Sequence, residues 1–134
     1  MKEEGTIAAV TMLIIFAVVL LLLPGPQPVT SAKPAASETE LATLASCLKS
    51  RGVLFYGAFW CPYCAKQKAA FGDAASLLPY VECSNPDGRT QTAICAAQGI
   101  RKYPTWAFPD GSRVIARLSP EALAAKSGCP VPKE

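Results

Sequence analysis

Two cysteines separated by two residues, within Trp60-Cys61-Pro62-Tyr63-Cys64, constrain the fold more than any other feature of this sequence. The apolar run 53–59 precedes them and predicts a buried strand, whereas residues 65–71 are rich in Ala, Lys and Gln and predict a helix. Unpaired backbone amides and the helix dipole stabilise a thiolate at a helix start, and Pro62 suits the first turn. We therefore predict a redox dithiol in which an exposed Cys61 is the nucleophile and Cys64 the resolving cysteine.

The same cysteine spacing also occurs in half of a zinc site and in purely structural cysteine pairs. The chain contains no histidine, and it has no second pair of cysteines two residues apart. A four-ligand zinc site would therefore need ligands from widely spaced cysteines, which is unusual. We expect a redox pair, with no metal and no bound cofactor.

The length and charge of the chain limit the classes of protein to consider. Its 134 residues, less an N-terminal segment, leave room for one domain of roughly 95 to 100 residues. The net charge is +3 and the 13 Lys and Arg residues are scattered, so we expect no nucleic acid partner. Six cysteines in so small a domain are typical of an oxidising compartment.

Residues 7–23 are apolar except for Thr11 and, as a helix, would span roughly 25 Å. We predict a single-pass membrane anchor here, after a short tail of residues 1–6. The alternative is a cleaved secretory signal, for which Thr30-Ser31-Ala32 offers a small-residue cleavage site. Both would export the domain, and we expect it on the extracytoplasmic side of the cell membrane. The Pro- and Ala-rich residues 24–37 predict a semi-rigid linker.

The rest of the chain predicts one α/β domain over residues 38–129, followed by a short tail, 130–134. Ser37 and Glu40 form a capping-box pattern at the start of the first helix. The predicted elements are this helix up to Gly52, a strand at 53–59, a helix at 61–78 kinked near Gly72, a strand at 79–83, a helix at 90–98, strands at 105–108 and 113–117, and a helix at 121–127. Their order is αβαβαββα.

This order, together with the dithiol and the later segment 99–105, resembles the thioredoxin superfamily across roughly residues 38–128. The resemblance implies a thioredoxin-like fold, in which a central mixed sheet is flanked by helices, here behind one N-terminal transmembrane helix. It also implies a cis peptide bond before Pro104, where an ordinary trans proline is the alternative. The groove that receives a substrate chain would then be shaped by Trp60, Pro62, Tyr63, Tyr103 and Pro104.

A closer resemblance is to the thioredoxin-like domain fused to bacterial and plastid homologues of vitamin K epoxide reductase. It is carried by residues 56–64, Gln67-Lys68, Tyr80-Val81-Glu82-Cys83 and 103–106. It implies oxidation of client proteins that carry cysteine thiols, with a quinone-linked membrane oxidase as partner. Because we predict one span rather than a four-helix bundle, we expect a separate oxidase. Phe55 stands where thioredoxins have a buried acid, so the usual proton acceptor for the second cysteine is missing.

The other four cysteines are expected to form disulfides. In the fused family the cysteines that match Cys83 and Cys95 form a second disulfide, which implies a structural bridge here. The alternative is a relay pair that exchanges electrons with the dithiol. Pairing Cys47 with Cys129 would tie the first helix to the C-terminal tail, whereas free thiols or an intermolecular link are the alternatives.

We therefore expect a membrane-anchored, extracytoplasmic thiol:disulfide oxidoreductase that oxidises client thiols. One alternative is a reductase of the same fold, for example in cytochrome c maturation, and another is a non-catalytic binding module with structural cysteines. Trp60 is expected to cover the dithiol, with a partly buried core position as the alternative, and Trp106 is predicted to lie in the core. For Lys66 and Lys68 we predict a solvated helix face, with a raised positive potential near the thiolate as the alternative.

Overall fold

The computed structural model of the chain describes residues 10, 12–19 and 37–133. The chain divides into two units, residues 1–32 and 33–134. In the first unit, residues 10 and 12–19 are helical and their apolar side chains are exposed. The predicted tail 1–6 and most of the predicted anchor and linker lie outside the described residues. Among the residues that are described, no helix combines the length and the apolar character needed to cross a bilayer.

Helix α1, Glu38–Ser50, opens the second unit and begins as its sequence pattern predicts. The Ser37 side chain accepts the Glu40 N–H, and the Glu40 carboxylate accepts the Ser37 N–H, so the capping box is complete. The helix buries its predicted apolar face, formed by Leu41, Leu44, Ala45 and Leu48. Gly52 follows the helix with a φ of +75°, a value that glycine adopts without strain.

Four short strands form one mixed sheet in the order β2-β1-β3-β4. They are β1 Leu54–Gly57, β2 Tyr80–Glu82, β3 Thr105–Ala107 and β4 Arg113–Val114. Strand β1 pairs in parallel with β2 and antiparallel with β3, and β3 and β4 form an antiparallel hairpin. All four strands are shorter than predicted. Apolar residues indicate that a segment is buried, and buried segments extend beyond the residues that form hydrogen bonds between strands.

The prediction of one kinked helix over 61–78 is wrong, because two separate helices occupy this segment. Helix α2, Pro62–Ala69, is followed by a separate 3₁₀ helix, Gly72–Leu77. Gly72 has a φ of +52°, which ends the α-helical path rather than kinking it. The two remaining helices are α3, Ala93–Ala97, and α4, Pro120–Ser127, and the latter is capped by the Ser119 side chain.

Helices cover both faces of the sheet, and each face has its own cluster of buried side chains. On one face Phe55 stacks on Trp106 with ring centroids 4.6 Å apart, and this cluster includes side chains of α1, α2 and α4. On the other face Tyr56 packs with Ile100 and with residues of β2 and α3. The α/β architecture, with a mixed sheet flanked by helices, is consistent with the expected thioredoxin-like fold. Trp106 is fully buried, which confirms its predicted core position.

Candidate functional site

Cys61 stands at the N-cap of α2, directly after the loop that follows β1. Its backbone N–H donates to the Ala58 carbonyl at 3.0 Å, and its own carbonyl accepts the Ala65 N–H at 3.1 Å. Pro62 is the first helical residue, where no intrahelical N–H is needed. The strand, the loop and the helix start thus hold the first cysteine in the position that its sequence context predicts.

The prediction of an exposed Cys61 is wrong, because only 5% of the residue is accessible. Its thiol lies against the backbone of a distant loop and points toward the Tyr103 carbonyl, with an S···O distance of 3.7 Å. The sulfur makes no side-chain capping bond to the amides of α2.

Cys64 lies one turn further along α2 and is more deeply buried, with 1% of the residue accessible. Burial, which disfavours the charged thiolate, raises the pKa of Cys64 to about 12, and the neighbouring Cys61 adds to the effect. A backbone hydrogen bond from Ala58 and the positive charge of Lys68 act in the opposite direction. Both cysteines are free thiols in this structure.

A groove runs beside the dithiol. The Tyr103–Pro104 peptide bond is cis, as the resemblance implies. A cavity of about 380 Å³ opens there, lined by Tyr63, Tyr103, Pro104, Ile115, Ala116 and Arg117. The structure therefore brings three of the five predicted groove residues into one cavity wall, and Pro62 lies next to them in α2.

Trp60 borders the same region, but it is not a core residue. Its ring is half exposed, its Nε1 donates to Ser84 Oγ at 2.9 Å, and its edge meets the Tyr103 ring at a centroid distance of 6.0 Å. The indole is held in place although much of its face is free. The exposure of the ring contradicts the core alternative, and the role of a cover for the dithiol stays a prediction.

The other four cysteines form two bridges, Cys47–Cys129 and Cys83–Cys95. The first joins the end of α1 to the chain after α4, and the second joins the end of β2 to α3. Cys83 and Cys95 belong to the buried cluster on the opposite face of the sheet from the dithiol. This separation favours a structural bridge over an electron relay.

The two lysines of α2 differ in their surroundings. Lys66 is exposed, as predicted, but the prediction of a simply solvated Lys68 is wrong. The Lys68 ammonium lies 3.4 Å from the centroid of the Tyr80 ring, a cation–π contact. Lys68 therefore carries a positive charge close to the buried side of the dithiol.

A polar pair that the sequence reading missed lies beneath the dithiol, on β2. The Tyr80 hydroxyl donates to Glu82 Oε2 at 2.7 Å, and Glu82 Oε1 accepts the N–H groups of Ser84 at 2.8 Å and Phe59 at 3.2 Å. Tyr80 and Glu82 are two residues apart in a strand, so both side chains face the same side. The alternation Tyr-Val-Glu is too common a strand pattern to have shown that this side faces Cys64.

The described part of the chain contains no cluster of three or more His, Cys, Asp or Glu side chains that could hold a metal ion.

No protein-family model matches this chain. It is similar to the thiol-disulfide oxidoreductase LTO1 of Arabidopsis thaliana. The two are 49% identical over 72 residues, which make up 50% of this chain and 19% of that relative. The match thus spans less than a fifth of the relative's length.

The groove also contains residues that the sequence did not indicate. Ile115, Ala116 and Arg117 follow β4 and line the cavity together with Tyr63 of α2 and the segment of the cis proline. Ile115 is largely exposed, and Arg117 adds a positive charge to an otherwise aromatic and apolar wall. No local motif marks these positions, since their role depends on a contact between distant segments.

Proposed function

We propose that this chain is a thiol:disulfide oxidoreductase with a thioredoxin-like domain over residues 38–129, which uses Cys61 and Cys64 to oxidise client thiols. One observation carries the proposal. Of the six cysteines, four are paired, and the two free thiols stand together at a helix start beside the cis-Pro104 groove. The similarity to a relative named as a thiol-disulfide oxidoreductase supports the same activity.

In the proposed reaction a client thiolate attacks Cys61 Sγ of the oxidised protein. The Cys61–Cys64 bond breaks, its electron pair stays on Cys64, and a mixed disulfide joins the client to Cys61. A second client thiolate then attacks the client sulfur of the mixed disulfide and releases Cys61. The client is oxidised by two electrons, and the dithiol is reduced by the same two.

The groove explains why Cys61 rather than Cys64 would meet the client. Cys61 is the more accessible of the two, and the cavity wall begins at Tyr63 and Tyr103 on its side. Cys64 is closed off by the body of α2 and by the sheet. An extended client segment lying along Tyr103 and Pro104 would bring its sulfur to Cys61 first.

We further propose that residues 7–23 anchor the domain to the extracytoplasmic side of a membrane through the linker 24–37. The apolar composition of this segment and the exposed apolar side chains of residues 12–19 support an anchor. A quinone-linked membrane oxidase of the vitamin K epoxide reductase type would regenerate the disulfide. The resemblance described above supports this choice of partner.

The direction of electron flow can be tested through the reduction potential of the Cys61/Cys64 pair. The full chain, in mild detergent, is equilibrated in glutathione buffers and its free thiols are trapped. A client oxidase is expected to have a potential of roughly −120 to −200 mV, whereas a value near or below about −270 mV would overturn the oxidase and favour a reductase.

Trapping of clients tests whether the protein is catalytic at all. In the Cys64→Ser variant the Cys61 thiolate attacks a client disulfide and releases one client thiol, and no Cys64 thiol is present to displace the client again, so we expect covalent adducts through Cys61 that dithiothreitol releases. The matched control is the double variant Cys61→Ser/Cys64→Ser, which should form none. Equal yields from both variants would contradict the enzyme and favour a non-catalytic binding module.

A further inference from the structure

The proposed reaction moves a proton on or off Cys64, but this sulfur is closed to water. When the Cys61–Cys64 bond breaks, Cys64 leaves as a thiolate, and its pKa of about 12 means that it must be protonated near neutral pH. In the reverse step the Cys64 thiol must lose its proton before it attacks a mixed disulfide at Cys61. Because 1% of the residue is accessible, a direct exchange with solvent is blocked.

Tyr80 and Cys64 both lie next to Gly57, whose missing side chain leaves a gap between the strand and the thiol. A Cβ atom at residue 57 would stand 3.0 Å from Cys64 Sγ, 3.3 Å from the Tyr80 hydroxyl oxygen and 2.7 Å from Tyr80 Cε2. The thiol and the phenol therefore converge on the same point above the Gly57 backbone. No side chain from β1 separates them there.

The phenol is also connected to a carboxylate that is held in place. Glu82 Oε2 accepts the Tyr80 hydroxyl, and Glu82 Oε1 accepts two backbone N–H groups. A tyrosine hydroxyl can accept one hydrogen bond while it donates another. Tyr80 can thus link Cys64 to Glu82, and Glu82 is only half-buried, so it can exchange a proton with solvent.

The groups around Tyr80 and Glu82 decide which of these two residues can act as a base. Burial raises the pKa of Tyr80 far above its usual range, and the hydrogen bond to Glu82 adds to the effect, so the phenol stays neutral. Among the residues that the structure describes, the other titratable groups acting on this pair are Cys61 and Lys68 of α2, while β1 presents Phe55 and Gly57. Glu82 is therefore the carboxylate available to this site.

We propose that Glu82 exchanges protons with Cys64 through the Tyr80 hydroxyl, in place of the acid that Phe55 replaces. This inference rests on the proposed function. When Cys64 leaves as a thiolate, the Tyr80 hydroxyl proton moves to Cys64 Sγ, and a proton that Glu82 has taken from solvent moves to Tyr80. When Cys64 attacks, its proton moves to Tyr80 while the Tyr80 proton moves to the Glu82 carboxylate. Tyr80 begins and ends each step as a neutral phenol.

The test follows the oxidation of the full chain, in mild detergent, by dithiobis(nitrobenzoate). Cys61 attacks the reagent and releases one thionitrobenzoate, and Cys64 then attacks Cys61 Sγ of the adduct and releases a second. The second release depends on the loss of the Cys64 proton. In Tyr80→Phe and Glu82→Gln we expect it to slow at least about 10-fold near neutral pH, because a positioned base contributes roughly 100-fold or more. The first release should keep its rate.

The pH profile of the second release separates proton transfer from a structural role. Without the relay, removal of the Cys64 proton depends on hydroxide, so the profile of both variants should move to more alkaline pH than that of the wild type, whereas a structural role would lower the rate without moving the profile. Tyr56→Phe is the matched control, since it removes a phenol on the opposite face of β1. Glu82→Gln keeps an oxygen that can accept the Phe59 and Ser84 N–H groups, so this variant should fold. It therefore tests Glu82 as the proton acceptor even if Tyr80→Phe fails to fold.

Each outcome has a defined meaning. Wild-type rates and profiles in both variants would overturn the relay and leave the proposed function intact. A slow second release in Tyr80→Phe alone would overturn Glu82 as the proton acceptor. If the wild-type chain released only one thionitrobenzoate, the Cys61/Cys64 pair would not close, and the relay and the proposed function would both fail.

Discussion

Removal of the Cys47–Cys129 bridge should destabilise the domain more than removal of Cys83–Cys95. The bridged residues are 82 positions apart in the first case and 12 in the second. A cross-link stabilises chiefly by restricting the unfolded chain, and the restriction grows with the logarithm of the loop length. At 25 °C the chain-entropy relation predicts a loss of about 4.5 kcal/mol in the free energy of unfolding for the long loop and about 2.8 kcal/mol for the short one.

Other contacts of the C-terminal segment cannot replace the long bridge. Arg51 donates to the Gly128 carbonyl at 3.2 Å, and the Lys133 N–H donates to Glu40 Oε1 at 3.2 Å. Both hydrogen bonds are exposed, so water can replace them, and neither restricts the unfolded chain. A variant without the bridge should therefore lose nearly the whole entropic term.

The assay is urea unfolding of the full chain in mild detergent, followed by tryptophan fluorescence. The variants are Cys47→Ala/Cys129→Ala and, as the matched comparison, Cys83→Ala/Cys95→Ala. Repeating the series in reductant, where no bridge is present, measures the loss of side-chain packing alone, which is then subtracted. A corrected loss under about 1 kcal/mol for the long loop, or one smaller than for the short loop, would refute the loop-length argument.

Three further predictions concern the neighbourhood of the dithiol. Gly57→Ala places a methyl 2.7 Å from Tyr80 Cε2 and 3.0 Å from Cys64 Sγ, so we expect a loss of about 1 to 3 kcal/mol by urea unfolding, and an unchanged midpoint would contradict the close approach. Gln67→Leu removes the buried amide that bonds the Leu118 C=O at 2.9 Å and N–H at 2.8 Å, so it should cost about 1 to 3 kcal/mol, and a neutral effect would show that water replaces both bonds. The Cys64 thiol keeps its proton to higher pH in the folded state than in the unfolded state, so the unfolded state binds fewer protons above about pH 9. The free energy of unfolding of the reduced protein should therefore fall from about pH 9 toward pH 12. Urea midpoints across this range test the last prediction, and Cys64→Ser should show a smaller slope than the wild type.

Local rules account well for the parts of the fold that depend on neighbouring residues. Ser37 and Glu40 cap α1 as their spacing predicts, and Gly128 ends α4 in the left-handed conformation expected of a helix-terminal glycine. The two cysteines of the dithiol lie at a helix start because strand and helix patterns flank them. The break between α2 and the 3₁₀ helix was not predicted, because Gly72 alone does not distinguish a kink from a stop.

The environment of Cys64 depends on strand register, which local patterns do not specify. The pairing of Gly57 with Glu82, and of Phe55 with Tyr80, places the phenol and the carboxylate on the α2 side of the sheet. A shift of one residue would turn both side chains toward α3 and leave Val81 under the dithiol. Strand β1 contributes Phe55 rather than a carboxylate to this side of the sheet, whereas the register places Glu82 of β2 there, hydrogen-bonded to the Tyr80 hydroxyl. The lack of an acid in β1 therefore does not leave the site without a nearby carboxylate, and Gly57 leaves the room that the Tyr80 ring needs beside Cys64.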